Sequence, residues 1–309
     1  MYIFKASYCK LQQWIYLANN NKEERYNNYH RSTLKILILA IIISIIIANS
    51  IIIFSDSHHR LPTALWTMNI TAAVASILGV IAIYRHGIYG LHGKSYLFLT
   101  LGILSWFCAD LTLLYYYYAM DIEEQKLVTI TDGFWFTGYG FLSLHLFNVI
   151  RSLRNNDNNS AIKPKFVIII SIIIVLAFVS FNVFNLVSSE FLLDISKDKQ
   201  RMENLLSLFV TIAYPILDLI LIIPSSIILI ILRKNYQHSI PWFLSSLSLL
   251  INAIADDGYV IDFVNGNSQH LIFWDLFYVA DFIIMAGALF WYHIYHITSS
   301  ITSKKIIDL

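Results

Sequence analysis

Apolar residues in this chain come in long, nearly uninterrupted runs, not in the short alternating or three-four spaced patches of a water-soluble fold. A helix crossing the roughly 30 Å hydrocarbon layer of a bilayer needs about twenty mostly apolar residues, each adding about 1.5 Å. Eight stretches meet that requirement: Ile36 to Phe54, Thr63 to Tyr84, Tyr96 to Tyr118, Leu127 to Ile150, Phe166 to Val187, Leu205 to Leu232, Ile240 to Ile261 and Leu271 to Tyr295. Pro62, Pro164 and Pro241 stand just before or at the start of the second, fifth and seventh runs, where a missing backbone N–H costs nothing. The pattern predicts an all-α integral membrane protein with about eight transmembrane helices. The first run begins only at Ile36, too late for a cleavable signal peptide, so it is expected to stay as a signal anchor.

Composition agrees, with 57% hydrophobic and 13% charged residues. A formal net charge of +1 gives no basic domain to attract phosphate, so nucleic acid is not an expected partner. Cys9 and Cys108 have no metal-ligand spacing and should fall at different depths, as two free thiols. The placement of positive charge sets the topology, because Lys and Arg resist translocation. With the amino terminus inside, sixteen Lys and Arg lie on the cytoplasmic side and five (Arg60, Lys126, Lys197, Lys199, Arg201) on the other. Both termini are therefore expected in the cytoplasm and the protein in the cell (plasma) membrane, multi-pass. The expected organisation is a cytoplasmic segment 1–33, a four-helix half 34–152, a cytoplasmic linker 153–165, a second four-helix half 166–297 and a short tail 298–309. Apolar residues at helical spacing in YIFKASYCKLQQWIYLANNN suggest that the first segment lies on the membrane surface.

Acidic residues are the chemical signal. Seven aspartates fall inside or within a turn of the predicted spans: Asp110, Asp132, Asp218, Asp256, Asp257, Asp275 and Asp281. An ionised side chain at the bilayer centre costs about 2.5–3.5 kcal/mol on insertion scales, so such residues should face a cavity, a partner or the bundle interior. Ser245, Ser248, Asn252, Asp256 and Tyr259 recur at three or four residues and form one stripe of the seventh span. Asp132, Trp135, Tyr139 and Ser143 do so in the fourth, and Thr211, Tyr214, Asp218 and Ser225 in the sixth. These stripes, with Tyr278, predict an outer-half pocket of carboxylates and aromatics that would bind a small ligand, a cation or protons. The alternative is that each Asp, Ser, Asn or Tyr only fastens one helix to the next, at about 0.6–2 kcal/mol per bond. No Lys or Arg lies in any predicted span, which excludes a retinal Schiff base. Pro215 and Pro224 bracket Asp218, where each removes a helical hydrogen bond and favours a kink, as a gate or a switch would need. His145, His293 and His296 are weak candidates for a metal site, and interfacial histidine beside Trp291, Tyr292 and Tyr295 is the more ordinary reading. No cofactor is expected. Tyr115 to Tyr118 read first as an aromatic belt.

The sequence repeats a plan. SWFCADLTLLYYYY followed by TDGFWFTGYGF in the third and fourth spans parallels NAIADDGYVIDF followed by WDLFYVADF in the seventh and eighth. Asp110 pairs with Asp256 and Asp132 with Asp275, and D-x-F-(W/Y) opens the later helix of each pair. Two four-helix halves entering the membrane in the same sense would be related by a pseudo-two-fold axis along its normal. With YPILDL in the sixth span, this pattern resembles the duplicated polytopic sensory-type membrane regions fused ahead of diguanylate cyclase or histidine kinase outputs. The likeness covers roughly Tyr96 to Tyr295. It implies signal reception in the membrane, and since only a short tail follows Tyr295, a separate cytoplasmic signalling protein as partner. The expectation is thus a membrane receptor or sensor module and not an enzyme. A secondary transporter or cation/proton permease is the alternative, and a metal-dependent membrane hydrolase a more distant one.

Overall fold

The computed structural model describes residues 31–120, 130–156, 201–233, 239–264 and 268–307. Among these the protein is entirely helical, without strands: α1 Arg31–Ile53, α2 Ser57–His86, α3 Gly90–Met120, α4 Ile130–Asn156, α5 Arg201–Leu232, α6 Ile240–Val264 and α7 Ser268–Ile307. The predicted fifth run, Phe166 to Val187, and the amino-terminal segment lie outside the described residues. The chain divides into two compact units, Met1–Ser44 and Ile45–Leu309. The second holds α2 to α7.

Six of the described helices carry stretches long and apolar enough to cross a membrane: α1, α2, α3, α5, α6 and α7. Helix α4, also predicted as a span, falls short in apolarity because Asp132, Gly133, Gly138, Gly140 and His145 interrupt it. Its 27 residues are still about 40 Å long. Helix ends differ from the sequence reading. Helix α2 starts at Ser57, so Pro62 sits in its second turn and not ahead of it. Thr63 meets that loosened turn by donating its hydroxyl to the His59 carbonyl at 2.6 Å. Pro241 does occupy the first turn of α6. Helices α4 and α7 run past their predicted ends, to Asn156 and Ile307.

Among the described residues, each helix from α2 to α7 packs on the next, and α7 returns to pack on α2, closing a ring of six described helices. The ring is inverted relative to a water-soluble bundle. On α2, Trp66, Ile70 and Ile77 are 50%, 58% and 59% exposed, while Asn69, Ser76 and the small residues Ala72, Ala75 and Ala82 are buried. Ile216 and Ile220 of α5 and Phe290 of α7 repeat the outward apolar face. An apolar shell of this extent around polar contents is the arrangement lipid stabilises. Small residues set close approach inside the shell. Gly138 of α4 faces Gly102 of α3, and a Cβ on Gly138 would stand 2.2 Å from Trp106 Cδ1 and 3.2 Å from the Gly102 carbonyl.

Candidate functional site

Helix order around the ring decides which side chains can meet. Helices α4 and α6 are separated by α5, and α3 and α7 by α2, so contacts between those pairs must cross the interior. Polar and aromatic residues make them, in two layers.

The first layer is built of carboxyls and phenols. The Tyr139 hydroxyl on α4 hydrogen-bonds Asp218 Oδ1 on α5 at 2.5 Å and also meets Asp256 Oδ2 on α6. Tyr278 on α7 donates to the other Asp256 oxygen at 2.6 Å. Asp218 and Asp256 thereby share one phenol oxygen. Four helices are thus joined through one chain of groups. Helical spacing explains the supply, because residues three or four apart on α6 share a face, so Asp256 and Asn252 both point inward. Asn252 donates to Asp281 Oδ2 at 3.1 Å, and Ser248, one turn earlier, meets Asp281 through both its carboxyl and its carbonyl. Tyr214 on α5 donates to Asp132 on α4 at 2.7 Å.

Aromatic rings wall this layer. Trp106 of α3 lies edge-on to Tyr139 with centroids 5.4 Å apart, and Trp135 and Phe136 pack on Tyr214 at 6.3 and 5.1 Å. Trp106 also donates to the Trp135 carbonyl at 3.2 Å. Asp110 is buried at the edge of the layer, within electrostatic range of Asp256, Asp275 and Asp281. Asp257 is buried beside Asp256, within range of Asp218. Tyr259 is half-buried and interacts with Tyr278. Of the predicted pocket residues, Tyr139, Asp218, Asp256 and Tyr278 share one chain of contacts, Asn252 joins Asp281 and Tyr214 joins Asp132, and no Lys or Arg is among the partners described for them.

Two oxygens stand out. Asp218 is 0% exposed and its Oδ2 has no hydrogen-bond partner among the described residues; the same holds for Oδ2 of buried Asp110. Buried oxygens without donors are rare and costly. They mark where the layer has capacity for a donor or a cation.

The second layer lies toward the opposite ends of the same helices. His145, also 0% exposed, contacts Ser95 at 2.9 Å through Nδ1 and Ser245 at 3.4 Å through Nε2, linking α4 to α3 and α6. Tyr96 stacks on Tyr292 across the ring at 3.7 Å, and His92 sits 5.1–5.3 Å from Tyr96, Trp242 and Tyr292. The candidate metal ligands are not brought together. His145 is held inside, His293 accepts from Arg85 at 3.1 Å at the edge, and the His296 side chain lies outside the described residues. No group of three or more described His, Cys, Asp or Glu residues could hold a metal ion.

Sequence reasoning passed over Trp106 and the Tyr96–Trp242–Tyr292 group. The signal for Trp106 was the glycine on the facing helix, whose partner could not be known without the fold. For the aromatic group it was His92 and Tyr96 at one-turn spacing. No protein-family model, curated protein or solved structure matches the chain.

Proposed function

We propose that the protein is a membrane-embedded receptor that binds a proton or a small cation, such as an organic ammonium, within the carboxyl–phenol layer. Binding shifts α5 against its neighbours, and the shift is passed to a separate cytoplasmic partner. One observation carries this reading: Tyr139, Asp218, Asp256 and Tyr278 bring four helices onto a single anionic network with no basic partner described. A cation there changes the attraction among all four helices at once, which gives a ligand differential contacts in two packings of the ring. The receptor reading also draws on the likeness to sensory membrane regions. Eight spans, two parallel halves, both termini in the cytoplasm and residence in the plasma membrane belong to the same proposal. The described helices follow one another around the ring in chain order, which is compatible with such a duplication.

A test uses spin labels at the two ends of α5 in the protein in nanodiscs, with distances to α2 recorded across a pH series and a tetramethylammonium series. The reading expects a displacement in one series that Asp218→Asn abolishes. Distances that stay constant in both would contradict it.

A permease is the second reading, favoured by Pro215 and Pro224 flanking Asp218 within α5. Proline-interrupted helices beside a charged site suit alternating access. Proteoliposomes loaded with a pH-sensitive dye separate the two, since proton uptake driven by a gradient, lost in Asp256→Asn, is expected only of a permease.

A further inference from the structure

We propose that Asp218 and Asp256 hold a single proton between them, bridged by Tyr139, so that the exchangeable ligand of the network is one proton. This rests on the same carboxyl–phenol layer as the receptor reading and names its ligand. The argument is one of counting hydrogens. A phenol has one O–H and can donate to one acceptor. The Tyr139 oxygen nevertheless contacts carboxyl oxygens of both Asp218 and Asp256. One contact uses the phenol hydrogen; the other needs a hydrogen from the carboxyl, or two oxygens would face each other lone pair to lone pair in a buried site.

Tyr278 cannot supply it. Its hydrogen already goes to the far oxygen of Asp256. The three contacts along Asp218–Tyr139–Asp256–Tyr278 thus require three hydrogens, two from the phenols and one from the aspartate pair. The closeness of the two carboxyls, both held on the one Tyr139 oxygen, makes the same demand, because two carboxylates repel and a carboxyl with a carboxylate attracts. Among the described residues, the groups facing the pair offer no compensating charge. They are Asp257 on the same helix, Tyr214 on α5, Asp110 from α3 and Asp281 from α7, none of them a cation. The unpartnered Asp218 Oδ2, fully buried, is where an added second proton would sit. Proton exchange in this quartet moves one hydrogen along existing contacts and breaks no covalent bond other than O–H.

Infrared difference spectroscopy of the whole protein in nanodiscs at neutral pH tests this through the C=O stretch of protonated carboxyls. Asp218→Asn and Asp256→Asn should each delete the same single band, because the remaining aspartate then accepts from phenol hydrogens and ionises. The double variant should delete nothing further. Two bands lost in the double variant, or none lost in either single variant that keeps wild-type helicity, would overturn the proposal. Tyr139→Phe keeps both carboxyls and the ring packing, and should shift the band without deleting it; an unshifted band would also overturn it. The band can be present while ligands move no helix, and helices can respond without the band, so failure here and failure of the receptor reading are distinguishable.

Discussion

The two polar layers of the ring share α3, α4, α6 and α7 and differ in the chemistry of their central groups, although the histidine layer too holds buried polar atoms, Tyr96 Oη and Trp242 Nε1, without a partner among the described residues. In the histidine layer, His145 is neutral-capable and its ring nitrogens meet hydroxyls on two other helices, with aromatic rings closing the space around it. In the carboxyl layer, several acids share too few donors, and buried oxygens of Asp110 and Asp218 lack partners among the described residues. A layer whose central group is satisfied locks helices together. One that leaves anionic capacity buried keeps a cost that a proton or cation can relieve. On the proposed reading, fastening and responding fall to different depths of one scaffold.

The sharpest way to break this contrast is Asp281→Ala. It strands the Asn252 amide, leaves the Ser248 hydroxyl only the backbone carbonyl at position 281, and opens a small void, and is expected to lower stability by about 2–4 kcal/mol in denaturation of the protein in nanodiscs. Next comes Gly138→Val. Its side chain would drive into the Trp106 ring, costing about 1–3 kcal/mol and disturbing Tyr139 through that ring, which tryptophan fluorescence and the carboxyl infrared band should both register. His145→Leu sharpens the comparison from the other side. It removes two interhelical bonds of about 0.6 kcal/mol each, so a loss near 1 kcal/mol is expected with the carboxyl band unchanged. The smallest effect is expected from Arg85→Ala at the exposed His293 contact, about 0.5 kcal/mol by thermal denaturation.

Much of this was legible before any coordinates. Run length and charge placement predicted a membrane helix bundle, and three-four spacing placed Asp256, Asn252 and Ser248 on one inward face of α6, where they lie. Helical period is a local property, so it survives into the fold. Partner choice is not local. That Tyr139 would bridge α5 and α6, and that Trp106 would lean on Gly138, depend on ring order, which no window along the chain contains. Helix limits were also misread, because Pro62 is tolerated in the second turn of α2 and because α4 and α7 continue as polar helix beyond their apolar runs. Apolarity measures the stretch lipid can hold, whereas helix ends follow backbone hydrogen bonding.

A double-mutant cycle of Tyr139→Phe and Asp218→Asn, read by reversible unfolding in a single lipid system, addresses directly whether the carboxyl layer acts as one network. Groups in one hydrogen-bonded network couple by about 0.5–3 kcal/mol, so the combined variant should lose clearly less stability than the two single losses added together. Losses that simply add would mean that Tyr139 and Asp218 act independently, and the ring would then enclose separate helix fasteners with no shared site.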